Sequence, residues 1–155
     1  MKIIRGDLIE LAKEGHFDVI VHGCNCICTM GAGIALQIKK EFPKAWEIDK
    51  RTKSGDRSKL GKITYTKVFI NDMHSIFVVN AYTQFDTCVR GEMKRVLVEY
   101  DALRSCFATI YKLFKGYKIG YPKIGAGLAL GDWNKISKII DEELKELDHT
   151  LVIWR

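Results

Sequence analysis

The chain reads as a single α/β domain built on a largely buried sheet, and three observations carry that reading. Strand-like and helix-like apolar blocks alternate along all 155 residues, the pattern of strands connected through helices. Residues 18–24 include the apolar run Val19-Ile20-Val21, a near-continuous stretch of the kind a strand buried on both faces requires. Two glycine loops, Thr29-Met30-Gly31-Ala32-Gly33 and Ile124-Gly125-Ala126-Gly127, each follow such a strand and lead towards a helical pattern.

The elements follow in order. Residues 2–5 form a short strand, and Asp7 caps the helix that begins at Leu8. After the strand at 18–24, Gly33–Phe42 is a helix stopped by Pro43, and Ala45–Lys53 forms another. Ser54–Lys59, with Gly55, is a polar loop. Lys62–Ile70 and Ser75–Ala81 make a hairpin joined across Asn71-Asp72, and a long polar loop covers Tyr82–Met93. Val98, Ala102, Cys106, Ile110 and Leu113 recur at helical spacing within Leu97–Phe114. Tyr117–Pro122 is the next strand. Trp133, Ile136, Ile139, Ile140, Leu144 and Leu147 form the apolar stripe of a last helix, and residues 150–154 are the last strand. No linker or low-complexity segment interrupts this order, so one domain, 1–155, is expected.

Composition bounds the function. A chain of this length buries about 70% of its unfolded surface around one core. Its 47% hydrophobic and 28% charged residues are those of an ordinary globule. No apolar run approaches the roughly 18 residues of a membrane span, and Met1–Asp7 lacks the apolar centre of a signal peptide. No membrane partner, a cytoplasmic location and a monomer are expected.

The five cysteines are an odd number, and reduced thiols are the default. In His22-x-Cys24-x-Cys26-x-Cys28 alternate residues share one strand face, where small thiols pack as core. Zinc ligands usually sit two to four residues apart around a turn, and neither a metal nor a cofactor is expected.

The net charge of +6 points to anionic ligands. Much of the excess lies in Lys44–Lys62 and around Arg90–Arg95, where few aromatics interleave. These stretches therefore read as a solvated basic face rather than a nucleic-acid surface.

The glycine loops carry the chemistry. A strand, a glycine turn and a helix leave unpaired N–H groups at a helix N-terminus, where the helix dipole favours an anion. Two such loops side by side suit a ligand with two phosphates. Neither loop has the G-x-G-x-x-G spacing, and no G-x-x-x-x-G-K-[ST] is present, which sets aside dinucleotide oxidoreductases and P-loop kinases. No Cys is followed six residues later by Arg, which sets aside cysteine phosphatases with a phosphate-cradling Arg.

Four segments together resemble a known family: Gly6-Asp7, Ile20-Val21-His22-Gly23-Cys24-Asn25, Met30-Gly31-Ala32-Gly33-Ile34-Ala35 and Pro122-Lys123-Ile124-Gly125-Ala126-Gly127-Leu128. In this order they look like a macrodomain, across essentially the whole chain. His22-x-Cys24-Asn25, Asn80-Ala81-Tyr82-Thr83-Gln84 and Gly127–Trp133 resemble the ADP-ribose-1″-phosphate phosphatase branch.

The resemblance implies a three-layer α/β/α domain with a mixed, mostly parallel sheet and an ADP-ribose cleft at one end of it. It implies that Asp7, beside Leu8, accepts the adenine amino group, a role compatible with capping a helix. Asn25 aligns with a residue that touches the distal ribose, or forms a turn. Thr29, Met30, Gly31, Ala32, Gly33 and Ile34 would form the first diphosphate loop. Ile124, Gly125, Ala126, Gly127, Leu128 and Ala129 would form the second. Trp154 either stacks on the adenine, where an aromatic contributes about 1–3 kcal/mol, or belongs to the core.

Hydrolysis of ADP-ribose 1″-phosphate would need a proton donor and a group that orients water. His22, Asn80, Asp86 and Asp132 are the candidates near the terminal ribose, each with a plain structural alternative. Ala35 and Ala129 stand where two hydrolytic branches carry Asp, which argues against a protein de-ADP-ribosylase of either type. The alternatives are a non-catalytic reader of ADP-ribose or ADP-ribosylated protein, and a hydrolase of another linkage such as O-acetyl-ADP-ribose or ADP-ribosyl-glutamate.

Overall fold

A computed structural model describes residues 1–87 and 95–154. Arg90 and Met93, named in the sequence reading, and Cys88, one of the five cysteines, lie outside the described residues. Six strands form one sheet in the order β1-β6-β5-β2-β4-β3. They are β1 (Lys2–Arg5), β2 (Val19–Cys24), β3 (Ile63–Asn71), β4 (His74–Tyr82), β5 (Ile119–Tyr121) and β6 (His149–Ile153). All neighbouring strands are parallel except the β3–β4 hairpin. The helices are α1 (Leu8–Lys13), α2 (Gly33–Glu41), α3 (Pro43–Lys50), α4 (Tyr100–Leu113) and α5 (Trp133–Glu143), with a 3₁₀ turn at Arg57–Lys59.

Strand alternation builds the layers. Ile20, Ile76 and Val78 bury against Leu8, Ile9, Ile38, Phe42 and Ala45 of the α1–α3 side. Val19, Val21, Val79 and Ala81 bury against Leu103, Phe107, Ile110, Ile136 and Ile140 of α4 and α5. Period two puts successive residues on opposite faces, so the sheet is covered on both sides, as parallel sheets require. This is the expected three-layer α/β/α fold.

Several boundaries differ from the sequence reading, among them the end of α5: the helix stops at Glu143, and Leu144 and Leu147 of the expected stripe lie in the turn beyond it. Pro43 does not merely stop α2; it opens α3 at the first turn, where its missing N–H costs no hydrogen bond. Phe42 between the helices has φ −131° and ψ 69°, outside the helical region, as a residue before proline prefers. Leu97 and Val98 stay extended ahead of α4. Leu97 N–H donates to the Ala129 carbonyl at 2.8 Å and Val98 bridges Gln84, so tertiary pairing overrides the helical periodicity there. The hairpin turn falls at Asp72-Met73, with Asn71 Oδ1 accepting from the Met73 N–H at 2.9 Å.

Candidate functional site

β2, β5 and β6 lie side by side and parallel, and the chain leaving their carboxyl ends, together with the turn after β1, walls a cleft. Sheets of this kind place ligands in that position. The cleft has two lobes that share Gly33, Ile34, Pro122, Lys123 and Gly127. The larger, about 530 Å³, is lined by Asn25, Thr29, Gln84, Thr87 and the two glycine loops. The smaller, about 490 Å³, is lined by Asp7, Leu8, Gln37, Ala126 and Trp154. Among the described residues, the lining carries one carboxylate, Asp7 in the smaller lobe, and one ammonium, Lys123 where the lobes meet.

Asp7 uses Oδ1 to cap α1, accepting from the N–H groups of Ile9 at 2.9 Å and Glu10 at 3.2 Å. The cap leaves the other carboxylate oxygen outside those bonds. Trp154, at the end of β6, is 63% exposed beside it. The structure thus puts Trp154 on the lobe wall rather than in the core.

Asn25 ties the two ends of the first turn together. The Asn25 amide donates to Thr29 Oγ1 at 2.7 Å and to the Thr29 carbonyl at 3.1 Å, and its Oδ1 accepts from the Ile27 N–H at 3.1 Å. Asn25 therefore forms the turn and also lines the larger lobe. Met30, expected to touch the ligand, is 2% exposed and packs with Cys24, Cys26 and Tyr82 beneath the loop. It is the loop's apolar anchor, outside the cleft lining. Gly31, Ala32, Gly33 and Ile34 line the larger lobe, where α2 begins without any side-chain cap on its first N–H groups. Uncapped N–H groups and the helix dipole make this an anion site.

The second loop turns at Gly125, whose φ of 76° suits glycine. The Gly131 N–H closes the loop onto the Gly125 carbonyl at 2.7 Å. Ile124, Gly125, Gly127, Leu128 and Ala129 line the larger lobe, and Ala126 the smaller.

The four groups expected to do chemistry are not brought together in the cleft lining. His22 is fully buried, with Nε2 2.6 Å from Asn80 Oδ1, its neighbour across β2 and β4. The Asn80 amide donates to the Ala45 carbonyl and to Thr64 Oγ1, both at 3.0 Å. Thr64 meets Tyr82 Oη at 3.0 Å, and Tyr82 donates to Asp49 Oδ1 at 2.7 Å. This chain of bonds lies under α3 and ties it to the sheet. Burial depresses the His22 pKa to about 4, against a weaker upward pull from Asn80. His22 is therefore neutral near pH 7, its one N–H donated from Nε2 to Asn80 Oδ1, and it is not the imidazolium that a proton donor would need to be. Asp132 caps α5, accepting from the Asn134 N–H at 2.9 Å. Asp86 accepts from the Thr87 N–H at 2.7 Å and pairs with Arg95 at 3.4 Å.

Cys24, Cys26 and Cys106 are core, whereas Cys28 does not share a strand face with them: β2 ends at Cys24, and Cys28 sits half-buried in the loop at a φ of 58°, its Sγ 3.4 Å from the Asp49 carbonyl. Burial raises Cys24 well above the usual thiol range, Cys26 to about 11 and Cys106 to about 12. Lys123, Gln84, Thr87 and Gln37 are lining residues that sequence reasoning missed. A lysine immediately ahead of a glycine loop was the one available signal.

Comparison with known proteins places the fold among relatives. Residues 21–140 match the family model described as Macro domain. An uncharacterised 17.5 kDa protein of Enterobacteria phage T4 is 39% identical over 161 residues, covering 99% of this chain and 96% of that protein. A protein of Thermus aquaticus called a DNA ADP-ribosyl glycohydrolase is 26% identical, covering 96% of this chain but only 39% of its own length. An ADP-ribose 1″-phosphate phosphatase of Aspergillus oryzae is 42% identical over 48 residues, 31% of this chain and 22% of that protein. Among solved structures, a protein of Bacteroides thetaiotaomicron superposes with a TM-score of 0.78 at 26% identity over 99% of both chains. The macrodomain of Thermus aquaticus DarG superposes with a TM-score of 0.68 at 21% identity over 99% of this chain and 97% of that one.

Proposed function

The chain belongs to the Macro domain family, and from that membership we propose that its cleft binds ADP-ribose and that it hydrolyses the bond at the distal ribose. One observation carries the reading: two lobes joined at both glycine loops, with Lys123, the one ammonium of the lining among the described residues, at the junction. The adenosine fits the lobe with Asp7 and Trp154. The diphosphate crosses the junction, where the α2 N–H groups and Lys123 offset its charge. The distal ribose reaches Asn25 and Gln84 in the larger lobe.

The bond cleaved is a glycosidic linkage at C1″ of that ribose. A glycohydrolase relative aligned with 96% of the chain supports this. The alternative, hydrolysis of ADP-ribose 1″-phosphate to ADP-ribose and phosphate, draws on a relative aligned with 31% of it. His22 and Asn80, sealed beneath α3, do not support the phosphatase roles that the sequence favoured.

Phosphorus NMR with ADP-ribose and then with its 1″-phosphate tests the reading. The diphosphate resonances broaden in both samples and no inorganic phosphate grows in the second. Growth of phosphate moves the reaction to the ester, and an unperturbed spectrum removes ADP-ribose altogether.

Asp7→Asn separates recognition from stability. Asn caps helices as well as Asp does, so unfolding is unchanged. ADP-ribose affinity, read by calorimetry, falls about tenfold because a charge-assisted bond to the adenine amino group becomes a neutral one. Asp7→Ala loses the cap as well, about 1 kcal/mol of stability.

A further inference from the structure

We propose that the Thr83 hydroxyl is a specificity group of the cleft, bonding a hydroxyl of the distal ribose and so telling ADP-ribose from ADP; this rests on the ADP-ribose reading above. Thr83 follows β4 and is fully buried. Its backbone groups are spent. The N–H donates to the Ala81 carbonyl at 2.9 Å and to the Cys24 carbonyl at 3.2 Å, and the carbonyl accepts from the Glu99 N–H at 2.8 Å. Its Oγ1 is, among the described residues, the one buried side-chain polar atom without a hydrogen-bond partner.

A buried hydroxyl left unpaired costs free energy, and native structures keep few of them. Packing does not demand this one. Val79 and Ala81, the two preceding alternate positions, bury apolar side chains against α4 and α5. Valine has the branching of threonine without the polar atom, so the hydroxyl is retained for something other than shape.

The hydroxyl stands at the wall of the larger lobe. A Cβ on Gly23 would come 2.9 Å from Thr83 Oγ1 and 3.1 Å from Ile124 Cγ2. Gly23, Ile124 and Gln84, the residue after Thr83, all line that lobe. Gly23 lies inside β2 and is not one of the glycines with positive φ, so no turn requires glycine there. A glycine within a strand marks a close approach, and here it keeps the space in front of the Thr83 hydroxyl clear of a side chain.

The neighbouring polar groups are already committed. The Asn25 amide donates to Thr29, and the Gln84 amide donates to the Asp86 carbonyl at 2.8 Å. A hydroxyl both donates and accepts, so a sugar hydroxyl meets the Thr83 hydroxyl in either sense. ADP ends at its second phosphate and has no group to place there.

Calorimetry with ADP-ribose and with ADP, on the wild type, Thr83→Val and Thr83→Ser, tests the assignment. Thr83→Val binds ADP-ribose about tenfold more weakly and binds ADP as the wild type does. Its urea midpoint rises, because a hydroxyl without a partner in the free protein has been removed. Thr83→Ser keeps the hydroxyl and most of the ADP-ribose affinity. A purely structural threonine would instead lower the midpoint and weaken both ligands together. Unchanged ADP-ribose affinity in Thr83→Val, an equal loss for ADP and ADP-ribose, or a Thr83→Ser as weak as Thr83→Val each overturn the inference while leaving ADP-ribose binding intact. Failure of the wild type to bind ADP-ribose overturns both.

Discussion

Gly131→Ala is expected to cost about 3 kcal/mol of stability and to weaken ADP-ribose binding about a hundredfold. A Cβ at this position would stand 2.5 Å from Val98 Cγ1, 2.6 Å from the Gly125 carbonyl oxygen and 2.8 Å from Ile136 Cδ1. The two side chains have little room, since Val98 and Ile136 are both core. The carbonyl is backbone, and it accepts the bond from the Gly131 N–H that closes the second loop. Relief therefore requires the loop to open, which moves the N–H groups lining the larger lobe. Val98→Ala in the same chain restores only part of the stability, because the clash with the Gly125 carbonyl remains.

Gly127→Ala gives the opposite dissociation. A Cβ there meets nothing within 4 Å, so unfolding in urea shifts by no more than about 0.5 kcal/mol. Gly127 lines both lobes at their junction, and the added methyl narrows the path of the diphosphate. Affinity falls about tenfold, some 1.4 kcal/mol. If Gly131→Ala lowers affinity without lowering stability, the loop is not held by this packing. If Gly127→Ala leaves affinity unchanged, the diphosphate does not cross at the junction.

The features legible in the sequence are those fixed by neighbours a few residues away. Asp7 is an N-cap because Ile9 and Glu10 lie two and three positions on. The glycine loops are recognisable because positive φ at Gly33 and Gly125 is a local demand. The fate of His22 was not legible, since its partner Asn80 lies 58 residues away and meets it only through the β2–β4 register. A histidine ahead of a glycine turn reads locally as a proton donor; only the packing of α3 over it shows that it is sealed. Phe85 beneath Arg57 is the same lesson at the surface. Basic and aromatic residues distant in sequence converge there, and composition along one stretch cannot show it. Leu97 and Val98 look helical by spacing and are extended because Ala129 and Gln84 pair with them.

Burial of His22 gives the protein an acid limit whose sign follows from linkage. Its folded pKa is about 4 against an ordinary 6.5, so between these values the unfolded chain binds a proton that the folded one refuses. Stability is full above about pH 6.5 and falls as pH drops towards 4, by about 3 kcal/mol from this group. Two other groups act in or near this range. His149, lowered chiefly by burial, contributes in the same direction, and Asp49, raised by burial, opposes it. Subtraction isolates His22. In His22→Gln the side-chain amide still donates to Asn80 but does not titrate. Urea unfolding near neutrality and again near pH 4.5 shows a smaller loss for the variant than for the wild type, by about 2.5 kcal/mol. Equal losses would mean that His22 takes its proton in the folded state, and that the network of Asn80, Thr64, Tyr82 and Asp49 opens to admit it. A group able to do that would regain its place as a candidate acid, because the same opening would bring it to solvent.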